Sequence, residues 1–269
     1  MMNRARIILG YIFGFICALL ISVIVILFIV KKTILNKEYI IHQFDVNNYY
    51  RSVYDEINND IKDYMVSSGF EENIVEDLFS LDDVEREIKS FIDATYVGVV
   101  YEVPTENIKT TLKGNIDKFL KSQNLKVDNP EEIDYFVSDI AEYYSDEVNL
   151  FGLANPLIKR VPKINSIINN ALIGCCALFV IMFIVLILLR FKYIAGTVMS
   201  SGLILLVISM FVFNKIDIEN ILIISDHFSL VLKNILNYLN YLITNSGICL
   251  IVIGFTVSLI KKIEKKSSN

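Results

Sequence analysis

The chain has 269 residues, 54% of them hydrophobic, with 30 Asp and Glu against 25 Lys and Arg and a mean hydropathy of +0.51. That hydropathy exceeds what a soluble domain carries, so the surplus belongs in membrane spans. The acidic balance, a net charge of −5, excludes nucleic acid as a partner held by charge.

Residues 1–32 predict a short cytoplasmic tail and a first span over Ile7–Val30. Arg4 and Arg6 precede it in the manner of a secretory signal. The apolar stretch is about twice an ordinary signal core, and it runs into "KKTILNKEY" without a small-residue cleavage site. An uncleaved signal anchor is expected. Inside it Gly10, Gly14, Ala18 and Ser22 fall at strict four-residue steps, one stripe on a helix. Small residues in that pattern let helices approach closely in lipid, so the stripe is a candidate helix-packing seam. Small residues four apart also occur in the later spans, at Ala171 and Cys175, Gly196 and Ser200, and Gly254 and Ser258. A seam shared among the chain's own spans is therefore expected, with a dimer as the alternative.

Residues 33–167 hold 26 Asp and Glu against 13 Lys and Arg, and read as one acidic helical domain. Tyr50, Val53, Tyr54, Ile57, Ile61, Tyr64 and Met65 form a helical stripe that stops at "SSGF". A short helix is expected near "EENIVEDLF". Ser80 followed by Asp83 is a capping-box variant before the stripe Val84, Ile88, Phe91, Ile92. Thr105 is placed to cap a helix burying Ile108, Leu112, Ile116, Phe119 and Leu120. Asn129 and Pro130 open another, which buries Ile133, Phe136, Val137, Ile140 and Tyr144. The β-branched run "YVGVVYEV" at 96–103 has no strand to pair with, and "ANPLIKRVPKIN" reads as a linker back to the membrane.

Residues 168–213 hold spans two and three, Ile168–Leu189 and Tyr193–Phe213, and 242–260 holds the fourth. None has an interior charge. Between them, 214–241 predicts a loop with an amphipathic helix, in the interface or under the acidic domain, rather than a fifth span, because it carries Asp226, His227 and Lys233. A basic tail, 261–269, ends the chain. The fold class is thus an all-α integral membrane protein, with four transmembrane helices and an extracytoplasmic helical bundle between spans one and two.

Orientation follows the bases in short segments. Arg4, Arg6, Arg190, Lys192, Lys261, Lys262, Lys265 and Lys266 would share one side of a four-span layout. Both termini are expected in the cytoplasm and the acidic domain outside, in a plasma membrane. The Ile, Asn and Lys usage suits an AT-rich bacterial genome.

No pattern carries catalysis. Neither G-x-S-x-G nor G-x-x-x-x-G-K-[ST] occurs, His42 and His227 stand alone, and a calcium loop starting at Asp45 fails because Tyr50 sits where glycine is required. Cys17, Cys175, Cys176 and Cys249 all lie in spans, where thiols act as small hydrophobes. No catalytic residue, cofactor or metal is expected. Ten tyrosines in the acidic domain suit either a binding surface or the boundary of a small bundle. The expected function is that of a non-enzymatic multi-pass envelope protein. Its partners would be the lipid bilayer and a protein bound through the outer domain or the spans, with a homo-oligomer compatible with either. The layout also resembles four-span permease subunits of ABC-type systems, such as cell-division permeases of the FtsX kind. That resemblance is one of topology and implies a subunit relaying motion to outer proteins.

Overall fold

In the computed structural model, residues 2–125, 129–149, 154–189, 192–213 and 225–267 are described, and among them there are helices and no strand. The helices are α1 (Met2–Lys32), α2 (Lys37–Val46), α3 (Tyr49–Ser67), α4 (Leu81–Val97), α5 (Glu106–Ser122), α6 (Pro130–Val148), α7 (Ala154–Leu189), α8 (Lys192–Phe213) and α9 (Asp226–Ser267). Four contain a stretch long and apolar enough to cross a membrane: Ile7–Lys32, Ile158–Leu188, Tyr193–Phe213 and Asp226–Ile260. The shortest, 21 residues, spans about 31 Å at 1.5 Å per residue, the thickness of a hydrocarbon core.

The chain divides into two compact units. One comprises Met1–Tyr39, Ile164–Leu222 and Leu232–Asn269, and so holds the bulk of the four apolar helices. The other comprises Ile40–Lys163 and Ile223–Val231.

In the second unit α4 and α6 are started by side-chain caps. Ser80 Oγ accepts from the Asp83 N–H at 3.2 Å and the Asp83 carboxylate accepts from the Ser80 N–H at 2.9 Å, closing the capping box of α4. Asn129 Oδ1 accepts from the Glu131 N–H at 3.2 Å, with Pro130 in the first turn of α6. Thr105 stands at the N-cap of α5 but makes no side-chain cap bond. The stop after α3 is Gly69 at φ 84°, beyond which the Phe70 N–H donates to the Met65 carbonyl at 3.0 Å. The "EENIVEDLF" helix is a single 3-10 turn, Glu72–Val75. The core is built from Ile57, Ile61 and Met65 of α3, Val84 and Ile88 of α4, Leu112 and Ile116 of α5, and Ile140, Tyr144 and Val148 of α6, all 2% exposed or less. Of the expected stripes, Tyr64 is exposed, and Tyr54, Phe119, Leu120, Ile133 and Phe136 are partly so.

Residues 96–103, read as lacking a strand partner, form no strand: α4 runs to Val97, Gly98 caps it at φ 86°, and irregular chain follows. Two segments differ from the sequence reading. The linker residues 154–165 are helical and continuous with span two. Pro156 falls in the first turn, where no N–H is needed, and Pro162 costs α7 one internal bond by leaving the Ile158 carbonyl without its donor. Gly98 lies against that point. A Cβ there would sit 3.0 Å from Pro162 Cγ and 3.5 Å from the Ile158 oxygen, so glycine serves both the left-handed turn and the close approach. Finally, the polar segment 226–241 and the fourth span 242–260 are not separate. They form the unbroken 42-residue α9, because no proline or turn interrupts the helical pattern between them. Ser225 Oγ accepts from the Phe228 N–H at 3.2 Å at its start.

Candidate functional site

Within the span-forming unit, the Gly10–Gly14–Ala18–Ser22 stripe faces α8. A Cβ on Gly10 would collide with the Tyr193 ring, and one on Gly14 would sit 3.0 Å from Thr197 Oγ1. Ala18 is fully buried, and Ser22 Oγ lies 2.9 Å from the Ala18 carbonyl and 3.1 Å from that of Ser201 on α8. Tyr193, Thr197 and Ser201 are themselves four apart, so two matching stripes meet. The Thr197 hydroxyl donates back to the Tyr193 carbonyl at 2.9 Å, which satisfies it inside an apolar contact. Leu186 of α7 joins Cys17 and Tyr193 in the same buried cluster.

The opposite contact of α8 is closer still. At Gly202 a Cβ would stand 2.5 Å from the Gly247 oxygen, and at Gly247 one would stand 2.9 Å from the Gly202 oxygen, so the two backbones touch. Gly254 packs on Met199 and the Ala195 carbonyl. Ser209 bonds Asn240 and lies 2.7 Å from Thr244 Oγ1. Gly202 and Gly247 carried no four-residue pattern in sequence, and nothing short of the fold pairs them. Gly196 has no neighbour within 4 Å where its Cβ would be. With Ser200, Gly10 and Gly14 it lines an open cleft of about 550 Å³ between α1 and α8. Ala171 and Cys175 are partly exposed, and Ser258 is exposed.

Of the topology determinants, Lys262 is exposed. Arg190 lies outside the described residues, as do the side chains of Arg4, Arg6, Lys192, Lys261, Lys265 and Lys266 and the part of the 214–241 loop before Ser225.

The second unit holds the titratable chemistry. Tyr49, Tyr50 and Tyr144 are buried, whereas Tyr135 is 70% exposed. Among the described residues two carboxylates are buried, Glu87 and Glu147, which sequence reading missed although each sits on its helix's apolar stripe, at Val84+3 and Tyr144+3. Glu87 is compensated: it accepts from the Tyr101 hydroxyl and pairs with Arg86 at 3.1 Å. Glu147 is not. Burial, and then the neighbouring Glu56, Asp60 and Asp146 carboxylates, push its carboxyl from the ordinary 4.5 up to about 7. Alongside it, the Tyr143 hydroxyl donates to Asp60 at 2.5 Å. A cavity of about 290 Å³ opens between α3 and α6, lined by Asp60, Ile61, Tyr64, Asp139, Ile140 and Tyr143. Among the described residues no three His, Cys, Asp or Glu are grouped to hold a metal ion.

Comparison of the chain with protein-family models, with curated proteins and with solved structures gives no match.

Proposed function

We propose that the protein is a multi-pass plasma-membrane protein of the bacterial envelope, non-enzymatic, whose helical unit Ile40–Lys163 stands outside the cell and binds a partner protein. The observation that carries this reading is the placement of a compact, separately cored acidic unit between the first apolar helix and the other three. Exposed side chains on that unit supply a surface: Tyr64 and Tyr135 present rings with polar tips, a type favoured at interfaces, and the carboxylate-lined cavity lies beside Tyr64. The bases gathered in the short segments support the outward placement.

The test begins with topology. In a background lacking the native cysteines, Ser145→Cys reacts with a membrane-impermeant maleimide on intact cells, and Ser267→Cys reacts only after permeabilisation. The reverse pattern overturns the placement. Purification in mild detergent then retains an outer protein in stoichiometric amount, lost on Tyr135→Ala. A stoichiometric ATPase retained in its place would replace this reading with that of an ABC-type permease subunit.

A further inference from the structure

Helices α3 and α6 run antiparallel along a seam whose rungs are legible one by one. Tyr64 stacks on Phe136 with centroids 5.2 Å apart, Tyr143 bonds Asp60, and a turn further along Glu56 and Glu147 lie within electrostatic reach of one another. At that last rung the side chains do not balance. Glu147 is 7% exposed. The groups facing it are Glu56, Asp60 and Tyr49 from α3, and Asp146 and Tyr143 from its own helix. None of these is a cation. The Tyr49 hydroxyl is buried without a hydrogen-bond partner, within electrostatic reach of both Glu147 and Glu56.

The same rung receives α9. His227 Nε2 lies 4.0 Å from Glu56 Oε2, and the adjacent Phe228 ring packs against Tyr49 at 6.4 Å and Phe44 at 6.3 Å between centroids. Residues 223–231 belong to this unit, whereas α9 continues from there as the fourth apolar helix. Glu147, Glu56 and His227 thus connect α6, α3 and the first turn of a candidate membrane span.

We propose that this seam is a proton-operated latch. With Glu147 protonated, α3, α6 and the first turn of α9 are held together. With Glu147 ionised, the seam loosens and the first turn of α9, which packs on it through Phe228 and Tyr49, is released. The latch does not depend on which side of the membrane bears the unit.

The sign follows from linkage. Glu147 binds its proton more tightly in the folded seam than in the open chain. The stabilisation is therefore complete below the ordinary carboxyl value of 4.5 and is lost as pH rises through about 7. Between pH 6 and pH 8 the opening equilibrium should rise about tenfold, one decade for each unit of differential protonation traversed.

The test is hydrogen–deuterium exchange of the full-length protein in detergent or proteoliposomes at pH 6 and pH 8, corrected for the intrinsic pH dependence of exchange. Peptides covering 140–149 and 225–231 should lose about tenfold protection at pH 8, while those in α5 should not change. Glu147→Gln, neutral at every pH, should retain the pH 6 protection of α6 at both values. Should that variant not fold, Glu56→Gln serves, because removing the foremost repelling carboxylate shrinks the response. His227→Ala should lower protection of 225–231 at pH 6 while leaving most of the α6 response. Equal protection of both segments at pH 6 and pH 8 overturns the latch. So does a Glu147→Gln protein that keeps the full wild-type response.

Discussion

In the span-forming unit Ile173 is 68% and Leu188 81% exposed, whereas Ser22 and Ser201 are buried; in the acidic unit Ile57, Ile88 and Leu112 are buried and, Glu87 and Glu147 apart, the charged side chains described are not. The inversion follows from the solvent each surface is suited to. Lipid tails are as apolar as leucine, so helices gain nothing by hiding large aliphatic side chains from them. They associate instead through close backbone approach and hydroxyl contacts. Water rejects the same side chains, and the acidic unit gains about 1.5–3 kcal/mol for each large aliphatic residue it buries. One chain therefore uses glycine and serine as its interior in one place and isoleucine and leucine in another.

Substitutions at matched positions sharpen that contrast. The largest effect is expected at Gly202→Ile, which forces a branched side chain into the Gly247 backbone. The four apolar helices should no longer migrate as a discrete folded species on blue-native gels, while Gly196→Ala, with open space at its Cβ, migrates as wild type. Next, Ile88→Ala in the acidic unit should cost about 2–5 kcal/mol, seen as a fall in its melting temperature. An equivalent truncation at exposed Leu188, Leu188→Ala, should leave the melt in detergent unmoved. Smaller again is Ser80→Ala, which removes the hydroxyl half of the α4 capping box, leaves the Ser80-position N–H bonded to Asp83 and should cost about 1 kcal/mol, measured by thermal or urea unfolding. The smallest is Ser209→Ala, which deletes the contact to Asn240 and Thr244 and should cost about 0.6 kcal/mol, the average for a hydrogen bond between membrane helices. A larger loss there would mean that α8 and α9 are held by polar contacts more than by the glycine crossing.

Glu87 and Glu147 make a second comparison, inside one unit. Each is a buried glutamate on the apolar stripe of its helix, but Arg86 and Tyr101 meet the first, whereas Glu56 and Asp60 face the second. Burial without a cation partner, beside other carboxylates, is what pushes the Glu147 carboxyl up.

By itself the sequence determined what depends on neighbours along the chain: four apolar runs, the Ser80 and Asn129 caps, the Gly69 stop, and the stripes of Val84–Ile92 and Ile108–Ile116. Those features are set by backbone sterics, capping chemistry and a 3.6-residue period, all read within a few turns. It also marked Gly10, Gly14, Ala18 and Ser22 as a face for packing, without saying on what. Only the tertiary structure decided that this face meets Tyr193, Thr197 and Ser201, that Gly202 crosses Gly247, and that Glu56 and Glu147 come within electrostatic reach of one another. Those are pairings between residues tens to more than a hundred positions apart. Their energies depend on distance in space, which a single sequence does not encode residue by residue.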